Sequence, residues 1–310
     1  MMIEIENLVK RYGDLTAINH LNLQVREGEI LGLLGPNGSG KSTTINCILS
    51  LLSYDRGSIK IFGEDMSPEK YNIKQKIGVV PQEIAVFEEL RVRDNIDYYC
   101  GLYVNDKKTR NQYVDEVISL VGLEEFCRFF PKQLSGGLKR RLNIACGIVH
   151  KPDLIFLDEP TVAVDPQSRN KILESIKELN RQGATIVYTT HYMEEVEILC
   201  NQIVIIDQGQ VIAEGTKEQL KNMVRTNEKV ILEVPEISQA QLKAISELPG
   251  VLDISYDELH LVLRTKELKE SMLPLLSYLE QESIPFANLQ TEEATLNDVF
   301  LEITGKELRD

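Results

Sequence analysis

The sequence predicts an α/β protein built on a parallel sheet and followed by a smaller α+β domain. Short, continuously apolar segments such as 30–34 and 154–157 alternate with stretches of helical periodicity. That alternation is typical of strands buried on both faces of a parallel sheet. From about residue 227 the pattern changes to a compact β-α-β-β-α-β order, which predicts a ferredoxin-like fold for the second domain.

The composition is that of a globular protein. Of 310 residues, 43% are hydrophobic and 26% charged, so the chain can bury a sizeable core and is not expected to be disordered. The 34 basic and 48 acidic residues give a net charge of −14, which argues against a nucleic-acid partner. Residues 1–226 contribute 27 − 31 = −4 and residues 227–310 contribute 7 − 17 = −10. This asymmetry predicts two domains, which we place at 1–222 and 227–310.

No segment has the composition of a membrane span or a signal peptide. The apolar segments stay well short of the roughly 18 residues that a span requires, and the chain starts with acidic rather than basic residues. We therefore expect a cytosolic chain. The cysteines are scattered, odd in number and never in C-x-x-C spacing, which favours small buried side chains in a reducing compartment. They are Cys47, Cys100, Cys127, Cys146 and Cys200.

Two kinds of strand are expected in the first domain. Segments 3–9 and 21–25 alternate apolar and polar residues, which predicts strands with one exposed face. Continuous apolar segments predict fully buried strands. These segments are 30–34, 154–157, 185–188 and 203–206.

Helical segments lie between these strands. One covers 40–52, and another covers 166–181 and opens with Asp165 and Pro166, an N-cap residue followed by proline at the first helical position. The stretch from about 83 to 150 has no comparable apolar strand. We predict that it forms an inserted, mostly helical subdomain.

The second domain follows a polar segment at about 220–228, which is a candidate linker. Its predicted strands are 229–234, 251–256, 260–264 and 286–290, and its predicted helices are 239–248 and 267–282.

A glycine-rich segment directly follows the apolar strand at 30–34. Residues 35–42 read GPNGSGKS and fit the pattern G-x-x-x-x-G-K-[ST] of a phosphate-binding P-loop. Its glycines allow successive N–H groups to surround a phosphate. Lys41 then contacts the β- and γ-phosphates and Ser42 supplies a hydroxyl to Mg²⁺. The candidate nucleotide-binding residues here are Gly35, Pro36, Asn37, Gly38, Ser39, Gly40, Lys41, Ser42 and Thr43.

Two acids end a second buried strand. Asp158 and Glu159 follow the apolar segment 154–157, and in a P-loop fold a carboxylate at this point lies beside the phosphate loop. Asp158 is then placed to hold Mg²⁺, directly or through water. Glu159 is placed to polarise an attacking water as a general base.

A third motif selects among P-loop families. Residues 134–138 read LSGGL, and a serine with two glycines at a helix start forms an anion site from backbone N–H groups. Over about residues 1–220 the three motifs, in this order, resemble the ATP-binding subunit of ABC transporters, whose signature is LSGGQ. The resemblance implies an ABC-type P-loop NTPase fold that binds ATP and Mg²⁺. It also implies a second ATP-binding subunit, because Ser135, Gly136 and Gly137 of one subunit close over the P-loop of the other.

The same resemblance suggests roles for four further residues. Tyr12 corresponds to the aromatic side chain that stacks on adenine. Gln82 corresponds to the glutamine that contacts Mg²⁺ and the attacking water, so that Ser42, Gln82 and Asp158 form the metal set. His191 corresponds to the switch histidine on the γ-phosphate, and Asp165 to the aspartate loop between subunits. The implied catalytic residues are Lys41, Glu159 and His191.

Two positions depart from the family pattern, and two basic residues after the signature are interpreted as having no functional role. Leu138 replaces the usual glutamine of the signature, and Ala163 stands where many relatives have glycine. Neither change touches the implied catalytic residues, so we expect hydrolysis to be retained. Arg140 and Arg141, just after the signature, are interpreted as a solvated helix face.

The C-terminal tail indicates a branch of the family. Residues 296–305 read LNDVFLEITG and resemble the tail of ABC-2-type ATPase subunits, which include drug and antibiotic exporters. The pattern predicts a short amphipathic helix with Leu296, Val299, Phe300 and Ile303 on one face, ended by Gly305. Capping of its own domain is an equally good interpretation of this helix.

The leading hypothesis is therefore an ATPase subunit, one of a homodimer, that energises export through a separate integral membrane permease at the cytoplasmic face of the membrane. Region 83–130 is the candidate permease surface, and residues 227–310 form an accessory or regulatory domain. The first alternative is a soluble ABC-type ATPase acting in translation or DNA repair. The second is a regulator that binds nucleotide without hydrolysing it.

Overall fold

The computed structural model describes residues 1–223, 228–265, 268–293 and 295–304. The chain divides into two compact units, Met1–Thr216 and a second unit that begins at Lys217. The sequence placed the end of the first domain at residue 222. The boundary falls earlier because the short helix at 217–221 packs against the helix at 296–304 of the second unit.

The first unit contains both α-helices and β-strands, and all of its residues up to 216 are described. Its strands are β1 (Ile3–Tyr12), β2 (Leu15–Val25), β3 (Ile30–Leu34), β4 (Arg56–Ile61), β5 (Glu64–Asp65), β6 (Ile77–Val80), β7 (Leu154–Asp158), β8 (Thr185–Thr190), β9 (Gln202–Asp207) and β10 (Gln210–Gly215). Its α-helices are α1 (Lys41–Ile48), α2 (Tyr71–Lys74), α3 (Val92–Gly101), α4 (Lys107–Val121), α5 (Gly136–Ile148), α6 (Pro166–Arg181) and α7 (Met193–Leu199).

A six-stranded sheet in the order β10-β9-β3-β8-β7-β6 forms the centre of the first unit. Strands β9, β3, β8, β7 and β6 pair in parallel, and β10 pairs antiparallel with β9. All residues of β3 and β8 are buried, so the predicted parallel α/β sheet is confirmed. Because these strands are parallel, their carboxyl ends meet at one edge of the sheet, where ligands of such folds bind.

The two faces of this sheet carry separate hydrophobic clusters. Ile155 and Leu157 of β7 pack with residues of α3 to α6, whereas Leu154 and Phe156 pack with residues of β1, β2 and α1. Successive strand side chains point to opposite faces, so a strand with both faces covered is apolar throughout. The segment from 83 to 150 contributes α3, α4 and α5 to the first of these clusters.

A second sheet in the first unit is antiparallel, with the order β2-β1-β4-β5. Its strands β1 and β2 alternate buried and exposed residues along much of their length. Both strands are longer than their predicted cores at 3–9 and 21–25. The hairpin extends to Tyr12 and Leu15, which pair with each other, and the charged residues near its end hid this continuation from the pattern.

The second unit combines an antiparallel sheet with α-helices that come before, between and after its strands in the chain. Its elements in chain order are α8 (Lys217–Lys221), β11 (Glu228–Glu233), α9 (Gln239–Ser246), β12 (Val251–Asp257), β13 (His260–Thr265), α10 (Leu268–Gln281), β14 (Ala287–Glu293) and α11 (Leu296–Thr304). The sheet order is β12-β13-β11-β14, with all pairings antiparallel. Val230 and Leu232 of β11 pack in its core with Leu275 and Leu279 of α10.

Helix α11 buries three of the four side chains assigned to its apolar face. Leu296, Val299 and Phe300 are buried, whereas Ile303, at the same helical spacing, is 39% exposed. Ile303 lies in the last turn of the helix. Gly305, the predicted C-terminal stop, lies outside the described residues.

The cysteine side chains are free thiols, of which Cys47, Cys100 and Cys146 are buried and Cys127 and Cys200 are half-buried. Within the described part of the chain, no helix combines the length and apolar character needed to cross a membrane.

Candidate functional site

The phosphate loop joins β3 to α1, and backbone carbonyl oxygens pack tightly against two of its glycines. A Cβ added to Gly35 would overlap the carbonyl oxygen of Ile206. A Cβ on Gly40 would lie 2.7 Å from the carbonyl oxygen of Ala17, and the φ of Gly40 is 107°. Both positions therefore require glycine, for space and, at Gly40, for conformation.

The N-terminus of α1 has the character of an anion site. Gly40 is its N-cap residue and provides no side-chain hydrogen bond, so the first N–H groups of the helix are not capped by a side chain. Ser39 Oγ is buried without a hydrogen-bond partner among the described residues. Ser42 and Thr43 lie half-buried in the first turn. A glycine cradle, uncapped N–H groups and an unpartnered hydroxyl fit the phosphates of a nucleotide.

Lys41 is buried at the start of the same helix. Its Nζ donates hydrogen bonds to the carbonyl oxygens of Gly35 at 2.8 Å and Pro36 at 3.1 Å, and it lies 3.5 Å from Glu159 Oε1. Burial lowers the pKa of Lys41, and the Glu159 carboxylate partly offsets that effect by favouring the charged ammonium.

The Glu159 side chain contacts three residues that, like Glu159 itself, follow strands of the parallel sheet. Besides the Lys41 contact, its Oε1 lies 3.5 Å from His191 Nδ1, and its Oε2 accepts a hydrogen bond from Gln82 Nε2 at 3.4 Å. Lys41, Gln82, Glu159 and His191 follow β3, β6, β7 and β8 at their carboxyl ends. The parallel sheet thus brings together four predicted site residues that are up to 150 positions apart in sequence (191 − 41).

The backbone at Glu159 is held in an unusual conformation. Its φ is 47°, a region that L-residues enter at a cost of about 1–2 kcal/mol. Its N–H donates to the carbonyl oxygen and the Oγ1 of Thr189, and Thr189 Oγ1 donates to Asp158 Oδ1 at 2.6 Å. Such strain persists where the surrounding structure fixes it, as it commonly does at functional sites.

The signature residues and Asp165 form a second cluster. Ser135 caps α5 by accepting a hydrogen bond from Leu138 N–H, and Asp165 caps α6 by accepting one from Ser168 N–H at 2.9 Å. That hydrogen bond lowers the pKa of Asp165. A Cβ on Gly137 would overlap Ser168 Oγ, so the two helix starts are in close contact.

Gly136 differs from Gly137 in its surroundings. A Cβ at Gly136 would have only the carbonyl oxygen of Ala163 nearby, at 4.0 Å. Ala163 itself has a φ of 57°. This left-handed conformation gives the physical reason why glycine suits that position better than alanine. Leu138 is half-buried and packs against the core instead of presenting an amide.

Tyr12 stands apart from these clusters as an exposed aromatic residue at the end of β1. Its side chain is 47% exposed, and Lys10 Nζ lies 5.0 Å from its ring centroid. The partner strand of this hairpin carries Ala17, whose carbonyl oxygen lies against Gly40. The hairpin that carries Tyr12 therefore also contacts the phosphate loop, through Ala17.

Arg140 and Arg141 do not form a solvated helix face, so that interpretation is wrong. Arg140 is 7% exposed, and its Nη1 donates to the carbonyl oxygens of Pro81 at 3.3 Å and Gln82 at 2.7 Å. Arg141 Nη1 donates to the carbonyl oxygens of Val121 and Gly122. Arg140 therefore anchors the segment around Gln82, whereas Arg141, which is half-buried, bonds the end of α4.

We expect Arg140→Met to lower the free energy of unfolding by about 2 kcal/mol, because the carbonyl oxygens of Pro81 and Gln82 lose their charged donor and only that of Pro81 keeps a second donor, Asn143 Nδ2. Urea denaturation followed by circular dichroism measures this. Lys139→Met is the matched control, because Lys139 makes a partly exposed ion pair with Glu88 at 3.1 Å that is worth less than about 1 kcal/mol. Equal losses for both variants would contradict the anchoring role.

Three contributors to the site lacked any motif. Gly209, with φ 74°, would place a Cβ 2.5 Å from the carbonyl oxygen of Ala17, and its N–H donates to the carbonyl oxygen of Ser39. Thr189 bonds both acids at the end of β7. The turn residues Asp207-Gln208-Gly209 after the apolar strand 203–206 were a usable signal for Gly209. Ala17 and Thr189 had none.

A phosphate cradle on a parallel sheet, with a lysine, an acid, a glutamine and a histidine at its edge, defines a P-loop ATPase of the cassette type. The family pattern described as "ABC transporter" matches residues 18–162, and that described as "ATP-binding protein DrrA1-3-like, C-terminal domain" matches residues 215–304. Residues 129–197 also match an "AAA domain, putative AbiEii toxin, Type IV TA system". The chain belongs to the ATP-binding proteins of ABC transporters and is an ATPase.

Relatives are similar over the whole length of the chain. The linearmycin resistance ATP-binding protein LnrL of Bacillus subtilis (strain 168) is 42% identical, with 100% of both chains covered. The daunorubicin resistance ATP-binding protein DrrA3 of Streptomyces coeruleorubidus is 33% identical, covering 99% of this chain and 97% of that protein. The Nod factor export ATP-binding protein I of Ralstonia nicotianae (strain ATCC BAA-1114 / GMI1000) is 32% identical, with coverage of 100% and 95%.

Solved structures match about 70% of the chain. An ATP-binding subunit of an ABC transporter superposes with a TM-score of 0.66 at 27% identity, over 72% of this chain and 93% of that one. The dimeric structure of MJ0796, a bacterial ABC transporter cassette, superposes with a TM-score of 0.64 at 29% identity, over 69% and 98%. These likenesses confirm the predicted P-loop fold.

Proposed function

We propose that this chain is the ATPase subunit of an exporter for a drug or antibiotic-like compound. Two copies would act on a separate membrane permease at the cytoplasmic face of the membrane. The observation that carries the proposal is the end-to-end similarity to resistance and export ATP-binding proteins, which extends through the second unit.

The first cluster supports ATP binding by defined residues. Tyr12 is exposed and free to stack on the adenine base, a contact that uses a large flat apolar surface. The backbone N–H groups of residues 35–43, all except Pro36, surround the β-phosphate. Lys41 turns from the carbonyl oxygens of Gly35 and Pro36 towards the β- and γ-phosphates, to which it contributes a point charge.

Three oxygen donors suit a magnesium ion at the same edge of the sheet. Ser42 offers a hydroxyl, Gln82 a carbonyl oxygen and Asp158 a carboxylate, and Mg²⁺ prefers such ligands together with phosphate oxygens. The ion supplies neutralisation of charge on the β- and γ-phosphates. Thr189 Oγ1, which donates to Asp158, fixes the orientation of that carboxylate.

Hydrolysis follows from the position of Glu159. The carboxylate accepts a proton from a water molecule, whose oxygen attacks the γ-phosphorus while the bond to the β-phosphate oxygen breaks. Gln82, within hydrogen-bond distance of Glu159, orients that water. His191, on the opposite side of the carboxylate, donates to a γ-phosphate oxygen. Asp165 and the signature residues contribute from the facing subunit.

The geometry of the signature cluster supports a dimer with shared sites. Ser135 and Asp165 contact neither Lys41 nor Glu159 in the hydrogen bonds and ion pairs of the described residues. A second copy related by twofold symmetry would place the start of its α5, with uncapped N–H groups at Gly136 and Gly137, over the γ-phosphate. Each ATP would then lie between two chains.

We expect Gly136→Asp to fold like the wild type and to lose ATP hydrolysis. The site has room for a side chain within the chain itself, and an acid is favourable in the first turn of a helix, but its charge would repel a γ-phosphate held by the facing subunit. Phosphate release and thermal denaturation measure the two effects. A variant that folds normally and hydrolyses ATP at the wild-type rate would contradict the shared site.

The surface near Gln82 supports a docking site for the permease. Within region 83–130, Phe87, Tyr98, Leu102 and Phe129 are large exposed side chains, and Phe87 contacts Tyr98 edge to face at 4.9 Å between ring centroids. Asn95 holds this surface by bonding both backbone groups of Phe87. Exposed apolar and aromatic clusters are typical of protein interfaces.

Purification of the tagged chain from detergent-solubilised membranes of its own cell tests the proposal. We expect a polypeptide with several membrane-spanning helices to co-purify. Tyr98→Asp should remove it without changing the ATPase rate of the isolated chain. Recovery of ribosomes or DNA in place of a membrane protein would favour a soluble ABC-type ATPase and overturn the export function.

A further inference from the structure

We propose that Glu195, a buried acid of α7, is a positioning residue that holds the Glu159 and His191 segments in register with each other. It lies outside every motif used above. The inference rests on the proposed roles of Glu159 and His191 in hydrolysis, and the experiment below separates the two.

Glu195 binds both segments through one carboxylate oxygen. Glu195 is only 2% exposed. Its Oε2 accepts hydrogen bonds from Thr161 Oγ1 at 2.8 Å, Tyr188 OH at 2.6 Å and Thr190 Oγ1 at 3.2 Å. Thr161 is two residues after Glu159. Thr190 is immediately before His191, so the carboxylate bonds a residue within two positions of Glu159 and another next to His191.

The second carboxylate oxygen connects this network to α6. Glu195 Oε1 lies 3.3 Å from Arg169 Nε, and the Arg169 guanidinium lies 4.9 Å from the centroid of the Tyr192 ring. Tyr192 in turn packs on His191 with 4.2 Å between ring centroids. Arg169 is one turn into the helix that Asp165 caps. A shift of the Asp165 segment is therefore transmitted to His191 through Arg169, Glu195 and Tyr192.

The chemistry of this group argues for a functional reason to keep it. A buried carboxylate costs free energy of desolvation that a well-packed apolar side chain would avoid. Here it is the acceptor for three hydroxyls from two chain segments, Thr161 after β7 and Tyr188 and Thr190 on β8, and burial next to it raises the pKa of Tyr188 well above its usual value. All three hydroxyls donate to the same carboxylate oxygen, which fixes the two segments relative to it.

Glu195→Gln is the main test, because it keeps the shape of the side chain and removes its charge. An amide must either turn its NH₂ towards Arg169 or present that group to the three hydroxyls, so the network rearranges. We expect kcat for ATP hydrolysis to fall about tenfold, since displacements of an ångström or less in catalytic groups have effects of this size. The Kd of a fluorescent ATP analogue should stay within about twofold, because no phosphate contact is lost.

Ser175→Ala is the matched control. Ser175 is a buried hydroxyl on the same helix as Arg169, and it donates to the carbonyl oxygens of Leu120 and Lys171. Its loss should lower the unfolding midpoint and leave kcat unchanged. Arg169→Met should reduce kcat in the same direction as Glu195→Gln, and the double variant should lose less than the product of the two single effects.

Three results separate the possible outcomes. A kcat of Glu195→Gln within twofold of wild type, or a loss that appears only as weaker nucleotide binding, would overturn the positioning role. Glu159→Gln measured in parallel tests the underlying assignment: if it retains full rate, the proposed hydrolysis site is wrong. If Glu195→Gln does not fold, Tyr188→Phe, which removes one donor, should still lower kcat several-fold at unchanged Kd, and an unchanged kcat there would overturn the proposal.

Discussion

Glu159→Gln is expected to reduce the rate of phosphate release by a factor of about 10²–10⁴. The amide preserves the hydrogen bond geometry towards Gln82 and the backbone bonds to Thr189, but it cannot take a proton from the attacking water. ATP binding should be retained, because the phosphate contacts come from residues 35–43. With hydrolysis blocked and ATP present, we expect the variant to accumulate as a dimer in light scattering.

The control for this experiment is Glu178→Gln, which changes an acid of α6 in a surface ion pair with Arg181. Surface pairs of this kind contribute less than about 1 kcal/mol, and its turnover should equal that of the wild type. If Glu159→Gln and wild type were equally fast, the general base would have to be sought elsewhere. If both were equally slow, the chain would be a regulator that only binds nucleotide.

Lys41→Met is expected to weaken ATP binding by a factor of about 10–100. Each charge-assisted hydrogen bond from the ammonium to a phosphate oxygen is worth about 1.5–3 kcal/mol. Methionine fills a similar volume but has no donor. In addition, Glu159 Oε1 loses the cation that lies 3.5 Å away, which makes the site more repulsive to the triphosphate. Titration of the protein with a fluorescent ATP analogue gives the Kd directly.

Lys70→Met provides the comparison, because Lys70 forms a surface ion pair with Glu64 and lies outside the loop of residues 35–43. Its Kd should match that of the wild type. A Kd for Lys41→Met within threefold of wild type would mean that the loop does not hold the phosphates as proposed.

The sequence was most informative where chemistry depends on short spacing. One sequence pattern was enough to predict the Gly35–Lys41 loop. Its position next to Glu159 follows from the rule that parallel strands end at the same edge of the sheet. Helix α6 begins at Pro166 and ends at Arg181 as predicted, because an N-cap aspartate and a proline fix its start. Strand ends were less well defined, since charged residues continue β1 beyond its apolar part.

Contacts between distant segments could not be predicted. Arg140 bonds the backbone of Gln82, 58 residues earlier, and a run of three basic residues looks the same in sequence whether it faces water or bonds a backbone carbonyl. Gly209 supports the loop from 169 residues after Gly40 (209 − 40). Glu195 lies in an acidic stretch, EEVE, that resembles any exposed helix. Only the three-dimensional arrangement distinguishes its buried carboxylate from its neighbours.

The central claim is that two copies of this chain share each ATP, with Lys41 of one opposite the signature residues of the other. The most direct test mixes Lys41→Met with Gly136→Asp at an ATP concentration near the wild-type Kd, where each variant should have little activity alone. In an equimolar mixture, half of the dimers pair one variant with the other and hold one complete site, so about a quarter of the wild-type rate should return. If the mixture stays inactive although both variants fold and associate, the shared site is contradicted.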